Sequence, residues 1–301
     1  MGIFYLLSAK IAGIVKVVAV KKCGSIAQGP KNSVKINLIR SVFCLIVSVA
    51  VFLFSREFMD ATGIWISLLS GIFNATFLFL WILSAERTSL CLVELFCMLG
   101  SVLIPLFLAP YLYKGETVLW HQWLCAGLLV VSTFLFFPKL KKTDEPSAET
   151  KTKRIDWKAL LRLLGCTVSS AGTVITQKLY VTYAEGSVAP FNLITFLVVA
   201  LLFALVFFSF LLKSSDEKTQ SRFSAKIWLL ILLASVMLYA NQFLSTLASN
   251  YFVSAVFYPL SYAIGWPLTF VADVCIFREK ATLKKCIGLI ITICASILIS
   301  L

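Results

Sequence analysis

Two charged side chains stand inside long apolar runs. Lys10 lies about halfway along the run 2–20, and Glu94 lies early in the run 90–110, within Cys91-Leu-Val-Glu94-Leu-Phe. An ionised group in such a segment is expensive to keep there and marks a functional position by default. Two chemistries are open to the pair: they can neutralise one another, or they can hold the two ends of a zwitterionic solute. A carboxylate taken out of water can also carry a coupling proton, which would give Glu94 a second role. Asn74, Asn241 and Gln242 add amides, which serve in apolar runs either as glue between helices or as solute contacts. Tyr258, Tyr262 and Trp266 recur at i, i+4 and i+8 and so share one helix face. Such a stripe can pack, anchor at a membrane interface or wall a site. Pro259 and Pro267 in the same run point to the third use, because a helix broken at proline exposes carbonyls to a cavity. The expected substrate-binding set is therefore Lys10, Asn74, Glu94, Asn241, Tyr258, Tyr262 and Trp266, with Glu94 as the coupling residue.

Other polar groups have blander expectations. Lys16 can lay its stem along a helix with its amine among headgroups. Gln177 and Lys178 are expected at the membrane interface, and Arg40 at lipid phosphates. Gly288, Thr292, Ser296 and Ser300 fall on every fourth residue, a small-residue stripe that lets helices approach closely. It suits packing on the run 119–138, or a homodimer contact through Gly288, Thr292 and Ser296. Glu116 and Glu279, amid Lys114, Arg278 and Lys280, suit a structural role at helix N-termini, where carboxylates favour the macrodipole.

What is missing narrows the chemistry. No Gly-x-x-x-x-Gly-Lys-Ser/Thr loop occurs, so ATP is not the expected energy source. The single His121 sits beside Trp120 and Trp123 with no clustered acid or thiol. The nine cysteines form no Cys-x-x-Cys pair and read as small apolar fillers. No metal, cofactor or catalytic constellation is expected, and the chain is not read as an enzyme.

These residues need elements to hold them, and composition says which. Of 301 residues 60% are hydrophobic and 14% charged, against about 45–50% and ~25% for soluble chains. A bilayer crossing takes ~20 apolar residues, and ten such runs can be read: 2–20, 36–54, 63–83, 90–110, 119–138, 159–181, 190–212, 227–247, 252–277 and 286–301. Lys10 and Lys16 interrupt the first, unlike a cleaved signal sequence. The polar stretch 139–157 divides the chain into 1–138 and 158–301, with five runs in each.

The two parts resemble each other. Ala12-Gly13-Ile14-Val15 is echoed by Ala171-Gly172-Thr173-Val174, and Asn37-Leu38-Ile39 by Asn192-Leu193-Ile194. Ile64-Trp65 returns as Ile227-Trp228, Pro105 as Pro267, and Cys125-Ala-Gly127 as Cys286-Ile-Gly288. Five is odd, so the second unit enters the membrane from the opposite side. The expectation is an all-α polytopic membrane protein with ten transmembrane helices in two inverted five-helix repeats and a midplane site between them, built from runs 1, 3, 4, 6, 8 and 9.

A five-run unit closed by an acidic residue, then Thr, then a small-residue helix resembles the EamA-type fold of the drug/metabolite transporter superfamily. Tyr258-Pro259, Pro267, Phe277-Arg278-Glu279-Lys280-Ala281-Thr282 and Gly288 carry the likeness in the second unit, and Glu116-Thr117 and Gly127 in the first. It implies a secondary transporter in the cell membrane, exporting a small organic metabolite, an amino acid or a drug-like compound by alternating access. Transport would be proton-coupled through Glu94 or uncoupled. The same superfamily includes lipid-linked-sugar flippases, which would use Lys10 or Arg40 to grip phosphate.

Charge sets orientation. Lys and Arg number 27 against 14 Asp and Glu, a net charge of +13. They gather in alternate connections: Lys21 to Lys35, Arg87, the 139–157 stretch, Lys213 to Lys226, and Arg278 to Lys285. The intervening connections hold only Arg56 and Lys114. The positive-inside rule places the basic side in the cytoplasm and both termini outside, whereas the resemblance implies both termini inside. The basic residues lie between apolar runs and form no single soluble face, so the expected partners are a small molecule and the bilayer, not nucleic acid.

Overall fold

A long apolar run can shed water only as a helix or in a closed barrel, because each backbone N–H and C=O must find a partner within lipid. The computed structural model describes residues 1–26, 30–85, 88, 90–113, 118–136, 157–213, 223–278 and 281–300. Among them are ten helices and no strand: α1 (Gly2–Ile26), α2 (Pro30–Ser55), α3 (Ala61–Ala85), α4 (Leu90–Leu112), α5 (Trp120–Phe136), α6 (Trp157–Tyr183), α7 (Val188–Lys213), α8 (Ala225–Ser249), α9 (Ser254–Cys275) and α10 (Leu283–Ser300). Each expected run coincides with one helix to within a few residues, and α1 and α2 run further into the basic segment between them. Glu116, Glu279 and the stretch 139–156 lie outside the described residues, as do the side chains of His121, Ser296 and Ser300.

Seven helices, α1 to α4 and α6 to α8, are long and apolar enough to cross a bilayer. The chain is thus a helical multi-pass membrane protein. At 1.5 Å per residue, the 25 residues of α3 reach about 37 Å, more than a ~30 Å hydrocarbon core. Of the other three, α5 has 17 residues, and α10 has 18 with Lys284 and Lys285 in its first turn.

The packing is inside-out relative to a soluble protein. Phe54, Trp65, Phe107 and Leu212 are exposed, while Asn37, Arg40, Asn74, Asn192 and Gln242 are buried. Helices pair in a regular scheme. α1 packs on α8 as α6 does on α3, and α1 on α9 as α6 does on α4. α2 meets α7, α4 meets α9, and α5 meets α10. Close approach needs small residues, and Gly100 shows why: a Cβ there would collide with the Thr167 carbonyl, so α4 and α6 touch backbone to backbone. Thr167 and Ser170 hydroxyls strengthen that seam by donating to the Phe96 and Cys97 carbonyls at 3.1 and 3.0 Å.

The small-residue stripe of α10 is used within the chain. Thr292 is buried and donates to Ser132 Oγ on α5 at 2.8 Å, and Gly288 is buried as well. At Thr292 the packing expectation is met by the α5–α10 contact. The expected break in the ninth run is corrected. α9 stays helical from Ser254 to Cys275 through Pro259 and Pro267. Each proline removes one helical donor without dividing the helix.

Candidate functional site

The stripes that α1, α3, α4, α6, α8 and α9 turn toward one another enclose a cavity of ≈ 160 Å³, room for roughly ten waters at ~15 Å³ of such space each. α1 contributes Lys10, Gly13, Ile14, Lys16 and Val17, and α4 contributes Glu94, Cys97 and Ser101. α6 adds Ser170, Thr173, Val174 and Gln177, and α8 adds Leu238, Asn241, Gln242 and Ser245. Asn74 and Phe77 come from α3, and α9 lines one wall from Phe257 to Thr269, including Tyr258, Tyr262, Gly265 and Trp266. All seven residues expected to bind substrate therefore meet in this one space.

Local contacts position the charged groups. Lys10 extends along α9 where Gly265 leaves room: a Cβ at 265 would stand 3.2 Å from Lys10 Cδ. The ammonium ends 5.2 Å from the centre of the Tyr262 ring, within cation–π range. Glu94 accepts a hydrogen bond from Trp81 Nε1 at 2.9 Å, and Trp81 is itself buried in α3. Lys10 and Lys16 both act electrostatically on Glu94, with Lys16 the stronger. Among the described residues, however, neither lysine forms an ion pair with it or any hydrogen bond. Of the two arrangements open to Lys10 and Glu94, the internal ion pair is absent.

Amides and hydroxyls surround these charges. Asn74 Nδ2 donates to Gln242 Oε1 at 3.4 Å, and Gln242 Nε2 has no partner among the described residues. Tyr258 donates its hydroxyl to the Val174 carbonyl at 3.3 Å, tying α9 to α6. Gly13 lets α1 approach α8: a Cβ there would stand 2.9 Å from Asn241 Oδ1.

One turn past the cavity, α1 and α9 are clamped together. Val17 and Thr269 line the space, and four residues on along each helix Lys21 Nζ meets Asp273 Oδ1 at 3.0 Å. The lysine also lies 4.1 Å from the centre of the Phe277 ring. At the α6–α8 end, Lys178 donates to the Ser249 and Phe252 carbonyls at 3.1 and 2.8 Å. It satisfies the end of α8, where carbonyls lack helical partners.

Four residues expected at the membrane interface lie elsewhere. Lys16 and Gln177 face the cavity, and Lys178 is buried on the end of α8. Arg40 is 2% exposed and donates to Asn37 Oδ1 at 2.9 Å, while Asn37 donates to the Leu78 carbonyl at 3.2 Å. It faces protein rather than lipid phosphate, and it does not line the cavity. The reason is common to all: a polar residue in an apolar run has the same spacing whether its face meets lipid or a neighbouring helix. A usable signal did exist in α6, where Ser170, Thr173 and Gln177 recur at i, i+3 and i+7, a polar stripe at helical period.

No group of three or more His, Cys, Asp or Glu converges to hold a metal among the described residues. No family model matches the chain, and no curated protein matches it. Solved structures do resemble it; one of them, described only as the crystal structure of a protein, matches over 98% of each chain, with a TM-score of 0.62 and 14% identity. At that identity the likeness shows the shared fold alone.

Proposed function

We propose that the chain is a secondary carrier, ten helices in two inverted five-helix repeats, that moves a small polar organic solute across the cell membrane by alternating access. One observation carries the reading: a cavity lined by three helices from each half holds two lysines and a glutamate that make no ion pair with one another. Ionised groups in apolar helices are costly. A scaffold would have no use for them, whereas a solute site needs them. Elsewhere Lys21 and Asp273 are paired, so the fold can neutralise a charge where chemistry does not require it exposed.

The repeat reading is supported by the pairing scheme, in which exchanging each helix for the one five places along turns the main contacts into one another. It is supported again by two glycines. Gly13 sits where α1 meets Asn241 of α8, and its counterpart Gly172 sits where α6 meets Phe73 of α3. Sites at the interface of inverted repeats suit rocking of one half against the other. In that motion the Lys21–Asp273 clamp closes one end of the cavity and must release for the solute to leave by that end.

Flux in proteoliposomes tests the reading, using a panel of radiolabelled amino acids and organic acids. Glu94→Gln and Lys10→Ala should each lower transport of whichever solute moves by about tenfold or more, and Glu94→Gln should flatten its pH dependence if protons are coupled. Both variants moving solute like wild type, with the same pH profile, would remove these residues from the site.

A further inference from the structure

The cavity has an uneven charge inventory. Lys10 and Lys16 point into it against a single carboxylate, Glu94. Asp273 does not alter the balance, because it is held by Lys21 beyond the end of the space. Glu94 is also partly engaged, accepting from Trp81, while neither lysine donates to anything among the described residues. Two half-buried ammonium groups without protein acceptors leave an unmet demand for negative charge. Water in the cavity can accept their hydrogen bonds, but the negative charge that balances two ammonium groups against one carboxylate has to come with the solute.

We infer that the solute is a small organic anion of net charge −1, its acidic groups held by Lys10 and Lys16. The ligand that answers all three charges is an amino dicarboxylate: two carboxylates for the two lysines and one ammonium for Glu94. The amides of Asn74, Asn241 and Gln242 suit the remaining carboxylate oxygens and the amine. The Tyr262 ring, already beneath the Lys10 ammonium, keeps that cation in place when the cavity is empty. The inference deepens the transport reading and rests on it for the word solute, but not for the binding chemistry.

Thermal unfolding of the detergent-purified chain with four five-carbon probes tests it: L-glutamate, glutarate, L-glutamine and cadaverine. A ligand that binds only the folded state raises its melting temperature with concentration. L-glutamate should raise Tm by at least about 3 °C at millimolar concentration, L-glutamine by less, and cadaverine not at all. Glutarate separates the parts. A shift equal to that of L-glutamate leaves the net-anion assignment standing and removes Glu94 as the amine contact, and a smaller one supports both. In Lys10→Gln and Lys16→Gln the L-glutamate shift should fall to less than half, and Lys10→Arg should restore part of it. Three results would overturn the inference: no shift with either anion, an equal or larger shift with L-glutamine or cadaverine, or anion shifts that survive both lysine variants. The two readings fail separately. Anion binding without vesicle flux keeps this inference and sinks transport, while flux of a cationic or neutral solute without anion binding does the reverse.

Discussion

Asp60 shows how a single side chain sets up an element that the site depends on. Its Oδ1 accepts the Gly63 N–H at 2.9 Å at the start of α3, and its own N–H donates to the Glu185 carbonyl at 3.3 Å. That Gly63 bond, above all, holds the carboxyl below its usual 3.8. A group whose folded value is depressed stabilises the fold above the unfolded value and loses that contribution as pH falls through the folded one. Asp60→Ala should therefore melt below wild type near neutral pH, and the gap should close below about pH 3.8. A gap that does not narrow at all as pH falls below about 3.8 would mean that the cap acts through something other than ionisation. At this scale the sequence was informative where a residue type had one use. Lys10 and Glu94, deep in apolar runs, could be singled out because lipid gives such groups no comfortable place. Lys16 and Arg40 could not, because a long stem that reaches headgroups and one that reaches a cavity or a neighbouring Asn37 are written identically.

The helices themselves were readable almost to their ends, since apolar length dictates them, but their rotation was not. α1 is apolar around its whole circumference, so nothing in its pattern says that Lys10, Gly13 and Val17 face inward while Ile3 and Ile11 face out. Packing decides that, through contacts such as Gly13 against Asn241. The Lys21–Asp273 clamp joins residues 252 positions apart, and only the α1–α9 contact brings them together. Its proposed closing role has a direct readout in Cys97, which is buried on the cavity wall. Asp273→Asn leaves Lys21 without its carboxylate and loosens that end. With Cys97 as the sole cysteine, a water-soluble methanethiosulfonate reagent should modify it about tenfold faster in the Asp273→Asn background. An unchanged rate would show that the pair holds α1 to α9 without controlling access.

For the whole molecule, the number of crossings decides whether the halves are inverted, and orientation measures that number. Seven helices meet the length and apolar requirements of a span among the described residues, with α5, α9 and α10 outside that set. If only the seven cross, four precede the 139–157 stretch, which then shares a side with the N-terminus, and the two termini lie on opposite sides. If all ten cross, five precede it, so the stretch lies opposite the N-terminus and both termini share a side. The proposed carrier takes all ten as crossing, with α5 joined to α10 through Thr292 and Ser132 and α9 beside α1 and α4 at the cavity wall. Positive charge then fixes the sense, because the connections richest in Lys and Arg belong in the cytoplasm. Epitope tags at both termini and within 139–157, probed on intact cells and after permeabilisation, should find the termini outside and the linker inside. Termini found together inside would keep ten crossings and the inverted repeat but reverse the charge assignment. Termini on opposite sides would reduce the crossings to an odd number and undo the inverted halves on which alternating access depends.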